Sequence, residues 1–106
     1  MKTVERGAAF LDDVYPEWWA VIDTDTLKLD NTQLCVLGQL YKQRHPRAHA
    51  RLSPYDSMVQ ELLGGDYRRA PRLGFMTWGS GRWDTLTQAW RREIERRRAA
   101  WRHDRA

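Results

Sequence analysis

The sequence is poor in cysteine and in long apolar runs. Cys35 is the single cysteine among 106 residues, so no disulfide can form within the chain. Its neighbours are apolar, which predicts a buried, unreactive thiol, and such cysteine usage suits a reducing compartment. The longest wholly apolar stretch, 18–22, is far shorter than a membrane span, and no signal-peptide pattern precedes it. These absences predict a cytoplasmic protein that does not bind membranes.

The sequence also lacks the recognisable signatures of catalysis and of metal binding. His45 and His49 have the i,i+4 spacing of helical zinc ligands, but Pro46 interrupts the helix and no HExxH glutamate is present. Asp23 and Asp25 begin like a calcium loop that then lacks the required glycine and oxygen ligand. No serine lies in a G-x-S-x-G elbow. We therefore expect a non-enzymatic protein without catalytic residues, cofactors or a metal site.

One glycine-rich turn resembles the start of an anion site. Gly79, Ser80 and Gly81 lead into a predicted helix with Arg82 beside them, and free amides at a helix N-terminus attract anions. The carboxylate of Asp84 argues against such a site, because it can satisfy the same amides as a cap. An anion or nucleotide site at these four residues therefore stays open.

Charge is unevenly distributed along the chain, whose net charge is +4. Residues 1–33 carry three basic and seven acidic side chains, whereas residues 34–106 carry fifteen basic and seven acidic ones. Such polarity fits an acidic partner for the basic part, either a nucleic acid or a protein. It also fits attraction between the two parts, and a solvated charged face is the simplest interpretation.

Helical periodicity dominates the chain and predicts a mainly α fold. Apolar residues three or four apart predict a first helix that ends before Pro16, and proline can open a short second helix over 16–22. The further predicted helices cover 33–43, capped by Asn31 or Thr32, then 54–63, between Ser53 and Gly64, and the region after 82. We expect one compact helical domain over 1–106 with four to five helices. At most, a short ribbon pairs 27–29 with 74–77.

Six tryptophans are the most unusual component of this composition, and three lie in the C-terminal region. Trp83, Trp90 and Trp101 recur with Leu86 and Ile94 at helical spacing, so they share one face while arginines cover the rest. We expect Trp83 and Trp90 to fill the core. Residues 95–106 are a candidate for an extended basic helical tail. Gly38, inside a predicted helix, indicates a close approach by another helix or a tryptophan ring.

Several short motifs resemble a known group of proteins. The segment Cys-Val-Leu-Gly-Gln-Leu-Tyr at 35–41 follows Pro-x-Trp at 16–18, and Gly74-Phe75 precedes a closing Leu-x-x-x-Trp helix at 86–90. In this order they are similar to small proteins of actinobacteria and their bacteriophages. The resemblance implies a helical mini-domain in a phage or actinobacterial setting, and it implies no catalytic residue. The basic segment around 45–51 and the basic C-terminus depart from the shared pattern.

Tryptophan and arginine are the residue types that dominate binding hot spots. We therefore predict a partner-binding surface, and its candidate residues are Trp18, Trp19, Arg91, Arg97, Arg98 and Trp101. The expected partner is a host protein or a second copy of the chain, which would give a homodimer. The alternative is a nucleic acid, bound by the arginines of the C-terminal helix.

Overall fold

The computed structural model shows a fold built from α-helices. It describes residues 1–49 and 51–105, and for Ser80 it describes the backbone alone. The helices are α1 (Lys2–Val14), α2 (Val36–Arg44), α3 (Pro54–Leu63), α4 (Arg69–Arg72) and α5 (Trp83–Arg105). There are also two single 3-10 turns in the described residues. Trp18–Ala20 follows α1, and Ser80–Arg82 lies directly before α5. The structure is 62% helical and has no strand within the described ranges. The predicted mainly α fold is therefore confirmed.

The first and third helices begin and end where local chemistry predicts. α1 ends at Val14, two residues before Pro16, because proline disfavours helical backbone in the residue before it. At the start of α3, the Ser53 hydroxyl accepts a hydrogen bond of 3.1 Å from the amide of Asp56. That helix ends at Gly64, whose φ of 63° lies in the left-handed region that favours glycine.

The second helix begins later than the sequence predicts. The side-chain oxygen of Asn31 caps a separate turn, because it accepts hydrogen bonds from the amides two and three residues further on. α2 then begins at Val36, where the Sγ atom of Cys35 accepts a bond of 3.3 Å from the amide of Gly38. The predicted start at 33 was therefore wrong, because a sulfur atom rather than Asn31 or Thr32 caps this helix.

Burial makes the thiol of Cys35 a poor nucleophile. The residue is almost fully enclosed, and desolvation raises the pKa of its thiol to about 11. Because the thiolate is the reactive form, we expect the native protein at pH 8 to react with a disulfide reagent at least 100-fold more slowly than the unfolded chain. Absorbance of the released thiol, with and without denaturant, measures both rates. Equal rates would contradict the burial of this side chain.

Two segments between the helices differ from their predicted conformations. Only Trp18–Ala20 is helical within 16–22, after Glu17 adopts a left-handed φ of 63°. The ribbon of 27–29 with 74–77 does not form, because the amide of Leu29 donates to the Thr87 hydroxyl of α5 at 3.1 Å.

Trp90 of α5 lies at the centre of the hydrophobic core. Its ring stacks on Phe75 with centroids 5.5 Å apart, and it meets Trp18 edge-on at 5.6 Å. Its Nε1–H donates to the carbonyl of Gly74 at 2.6 Å, so the buried indole has no unsatisfied polar atom. Trp83 is partly buried and packs against the outside of this core. The predicted core role is confirmed for Trp90 but not for Trp83, which is only partly buried.

Two helical glycines allow backbone segments to come close together. A Cβ atom on Gly38 would lie 2.2 Å from the carbonyl oxygen of Thr32, so the neighbour is the preceding turn and not another helix or a tryptophan ring. This corrects the predicted neighbour of Gly38. A Cβ atom on Gly7 would lie 1.9 Å from the carbonyl oxygen of Leu73. The sequence does not predict this role of Gly7, because the contact joins residues far apart in the chain.

The long helix α5 packs against α1 and against both 3-10 turns. Its inward face is formed by Leu86, Trp90 and Ile94. Residues 99–105 continue the helix as an exposed segment. The predicted basic tail is thus helical up to Arg105, and Ala106 lies outside the described residues.

Candidate partner-binding surface

Arg97, a predicted docking residue, lies between two acidic side chains of its own chain. Its Nε and Nη2 atoms donate to the two carboxylate oxygens of Asp12 at 3.1 and 2.7 Å, a bidentate pair that joins α5 to α1. Its Nη1 atom donates to Glu93, one turn earlier in α5. The guanidinium also lies 5.6 Å from the centroid of the Trp18 ring. These contacts hold the arginine within the fold.

The same hydrogen-bond network lowers the pKa values of its two acidic side chains, Asp12 and Glu93. The hydrogen bond from Arg97 holds the pKa of Asp12 below its ordinary value, against the opposing effect of burial. For Glu93, burial alone would raise the pKa, but hydrogen bonds from Arg96 and Arg97 outweigh it and lower the pKa. Both carboxylates are therefore charged at neutral pH, and each is paired.

Arg91 and Arg98 tie the segment after the first 3-10 turn to α5. Arg98 donates to the carbonyl of Trp19 at 3.0 Å and to that of Ile22 at 2.5 Å. Arg91 donates to the carbonyls of Thr24 and Leu27, which have no regular secondary structure to satisfy them. Three arginines predicted to contact a partner thus donate to groups of their own chain. Sequence alone does not reveal these contacts, because every acceptor except Glu93 lies more than 60 positions away.

The two adjacent tryptophans of the first 3-10 turn have different environments. Trp18 is fully buried, and its Nε1–H donates to Asp12 at 2.9 Å. The prediction that Trp18 belongs to a partner-binding surface is therefore wrong, because this indole fills the core beside Trp90. Trp19 is only partly buried, and its ring lies 6.5 Å from that of Trp101.

Trp101 is 43% exposed on the last turns of α5 and rests on Trp19. The guanidinium of Arg105 lies 4.7 Å from the centroid of the Trp101 ring, on the next turn of the helix. Glu17 and Ala20 complete a shallow groove of about 130 Å³ beside the two rings. We call these five residues the Trp101 patch, which contains two of the residues that the sequence analysis selected.

The glycine turn before α5 presents a different surface. Gly79, Gly81 and Arg82 are exposed, and the side chain of Ser80 is not among the parts of the chain that the structure describes. Trp78 precedes the turn and is 72% exposed, at a groove of about 500 Å³ that Arg82 and Met1 also line. The sequence gives no sign that Trp78 is exposed, because this residue belongs to no periodic pattern. Among the lining side chains only Arg82 is charged, so the groove offers an anion a single guanidinium.

Three other properties of the described residues bear on function: their capacity to bind a metal, to span a membrane and to hold a ligand beside Cys35. Within the described residues, no group of three histidine, cysteine or acidic side chains could hold a metal ion. In the same part of the chain, no helix combines the length and apolarity needed to cross a membrane. The cavity beside Cys35 measures about 100 Å³, well below the size of ordinary ligand pockets.

Comparison with known proteins adds no assignment to this geometry. No family model, no curated protein and no solved structure matches the chain. The resemblance to small actinobacterial and phage proteins, drawn from the motifs at 35–41 and 86–90, stays a prediction. Function must therefore be argued from the surfaces themselves.

Proposed function

We propose that this protein is a non-enzymatic interaction module that binds a partner protein through the Trp101 patch. The observation that carries this proposal is the exposed indole of Trp101 at the end of a helix whose preceding turns are tied to the protein body. A large, partly exposed aromatic ring with an arginine beside it is the composition of an interface hot spot. Its setting in a phage or actinobacterial accessory factor is part of the same proposal.

Rigid support of Trp101 favours binding over a merely solvated helix end. Arg97 and Arg98 lie one turn before Trp101 and connect that part of α5 to α1 and to Trp19. Because the indole also rests on Trp19, little conformational entropy is lost when a partner covers it. The internally bonded arginines therefore support the binding surface indirectly, by holding its helix in place.

The chemistry of the patch indicates the kind of partner. Arg105, next to the ring, and Arg102, on the same exposed segment, place two positive charges near an apolar centre, and Glu17 adds one negative charge at the groove. A complementary surface has an apolar pocket for an indole and carboxylates at its rim, where arginine binds in a bidentate manner. Either a host protein or a second copy of the chain can provide such a surface.

Nucleic-acid binding by the C-terminal helix is less well supported than protein binding. Arg91, Arg97 and Arg98 already donate to acceptors of the fold, and Arg96 donates to both oxygens of Glu93 at 2.6 Å. Phosphate contacts by these side chains would have to compete with those bonds. The exposed arginines that remain on α5 are Arg92, Arg102 and Arg105, and acidic residues lie between them in the sequence.

Replacing Trp101 with alanine tests the proposal. We expect the affinity for a purified partner, identified by capture and then titrated calorimetrically, to fall about 30-fold, as for a hot-spot residue. Sedimentation equilibrium measures the same effect if the partner is a second copy. The midpoint of thermal unfolding should change little, since the side chain is substantially exposed.

The matched control is Trp78→Ala, which removes an even more exposed indole from a different element. We expect this variant to bind like the wild type. If Trp78→Ala lost affinity while Trp101→Ala kept it, the binding surface would lie at the glycine turn. Unchanged binding in both variants would refute a role for either tryptophan.

A further inference from the structure

The segment 31–55 contains no acidic residue, although Asp30 and Asp56 lie directly outside it. Its basic and imidazole side chains are concentrated within ten positions, and they are Lys42, Arg44, His45, Arg47, His49 and Arg51. A charge run of one sign without interspersed acids is uncommon in a chain that is 30% charged overall. It produces a local positive potential that nothing within the segment cancels.

The fold places this segment along a groove. The groove lies between the last turn of α2 and the start of α3, and its volume is about 550 Å³. Tyr41 and Lys42 line it from α2, His45 and His49 from the connecting segment, and Pro54 from α3. Arg47 and Arg51 are exposed on the same connecting segment.

One acid neutralises only part of this charge. Glu61 of α3 pairs with Arg44 at 3.2 Å, and one of its oxygens lies 2.5 Å from the Nε2 atom of His45. Arg44 also lies over the Tyr15 ring, 4.4 Å from its centroid. These contacts attach Arg44 and His45, at the end of α2, to α3 and to Tyr15.

The other cations of the segment are not used by the fold. Lys42, Arg47 and Arg51 are exposed, and none of them forms an ion pair with any residue that the structure describes. This is the reverse of α5, where Arg91, Arg97 and Arg98 are held by acceptors of the chain. Seven of the fifteen arginines lie in the C-terminal helix, and three of these attach it to other segments, whereas the structure leaves the cations of the middle segment available.

We propose that this groove binds the phosphodiester backbone of a nucleic acid, with Lys42, Arg47 and Arg51 as the phosphate contacts. Unpaired cations along a groove release the counterions of phosphates, which is the main source of sequence-independent affinity. The ring of Tyr41, with its centroid 4.7 Å from that of His45, provides an aromatic wall against which a base can stack.

Other acidic surfaces fit this groove less well. A membrane would require apolar side chains that insert, but Leu52, 48% exposed, is the one large exposed hydrophobic side chain of the segment's described residues. A protein interface would require a central desolvated hot spot, and here no tryptophan lines the groove. A polyphosphate chain needs cations at intervals, and these are provided by Lys42 in the groove and by Arg47 and Arg51 on the exposed segment beside it.

The test compares two triple variants that each remove three positive charges. Lys42→Gln/Arg47→Gln/Arg51→Gln alters the groove and the segment beside it, and Lys2→Gln/Arg6→Gln/Arg72→Gln removes one lysine and two arginines that are exposed on α1 and α4. Fluorescence anisotropy measures binding of labelled 20-nucleotide single-stranded DNA, single-stranded RNA and duplex DNA between 50 and 200 mM salt. A polyglutamate peptide of equal charge is the fourth probe.

We expect the wild type to bind at least one nucleic-acid probe, and the probe that it prefers identifies the natural form of the ligand. The groove variant should bind that probe at least tenfold more weakly, and the slope of its log affinity against log salt should fall by about two. The variant of α1 and α4 should stay within about threefold of the wild type. Arg47→Lys/Arg51→Lys, which keeps the charge, should retain most of the affinity.

Three results would overturn the proposal. The first is that the wild type binds none of the nucleic acids at 50 mM salt. The second is equal loss of affinity in both triple variants, since binding would then follow net charge alone. The third is tighter binding of polyglutamate than of every nucleic acid, which would make the groove a site for acidic protein. Circular dichroism of each variant confirms that the replacements leave the helices intact.

Discussion

Replacing Arg97 with alanine is expected to lower the free energy of unfolding by about 3 kcal/mol. The Arg97 side chain is 21% exposed, and its guanidinium bridges Asp12 of α1 with Glu93 of α5. Its removal therefore breaks the connection between two helices and leaves a buried carboxylate with fewer partners. Removing one member of a buried ionic network costs more than the pair contributes, because the remaining charge stays desolvated. Urea unfolding followed by circular dichroism measures the change.

The control for this prediction is Arg96→Ala. Arg96 donates to the same carboxylate of Glu93 but is 66% exposed, so its loss should cost less than about 1 kcal/mol. Equal destabilisation by both variants would show that Glu93 alone, and not the bridge to Asp12, determines the effect.

The pH dependence of stability provides a second measurement of the same network. The folded-state pKa values of Asp12 and Glu93 are lowered, so their contribution is fully present above the unfolded values, about 4, and is lost as the pH falls through the folded ones. The wild type should therefore lose stability below about pH 4, and Arg97→Ala should lose less over the same range. Parallel pH profiles for the two proteins would contradict this assignment.

Gly7→Ala is expected to destabilise the protein by about 3 kcal/mol or to prevent folding. The added methyl would lie 1.9 Å from the carbonyl oxygen of Leu73 and 3.0 Å from Cη2 of Trp90. Neither neighbour can move easily, because one is backbone and the other is the ring at the centre of the core. Overpacking of this kind costs at the upper end of the usual range. Thermal unfolding of the purified variant, or its failure to yield folded protein, gives the result.

The matched control is Gly81→Ala, the same substitution at an exposed glycine. A Cβ atom there would meet no atom within 4 Å, and the residue lies in the turn before α5. The change should alter the free energy of unfolding by less than about 1 kcal/mol, in the stabilising direction, because alanine restricts the unfolded chain. Similar losses at both glycines would show that steric contact with Leu73 is not the cause.

These structural roles change the interpretation of the basic charge. Arginine on α5 serves mainly to attach α1 and the segment 19–27 to the longest helix, and this attachment holds Trp101 in a defined position. Positive charge that the fold leaves unpaired is found in the middle segment, between α2 and α3, as well as at Arg92 and Arg102 of α5. The two proposed surfaces are therefore formed by different residues, and each can be tested while the other is intact.

Local sequence features determined most of the secondary structure. Proline at 16, the Ser53 cap and Gly64 define the ends of α1 and α3, because each acts through its own backbone or its nearest neighbours. The period of the apolar residues likewise predicts α5 and places Trp90 in the core. Cysteine as a helix cap was missed, since its sulfur is a weak acceptor that sequence rules do not consider.

Tertiary structure alone decided which charged and aromatic residues remain available for binding. Sequence periodicity shows that Arg97 lies on α5, but not that Asp12 lies opposite it, 85 positions earlier. It cannot distinguish Trp18, which is buried, from Trp19 beside it. Helix boundaries depend on interactions within a few residues, whereas the exposure of a side chain depends on which distant segments pack against it. For this protein the amino-acid order therefore determined the helices, and packing between helices determined the surfaces.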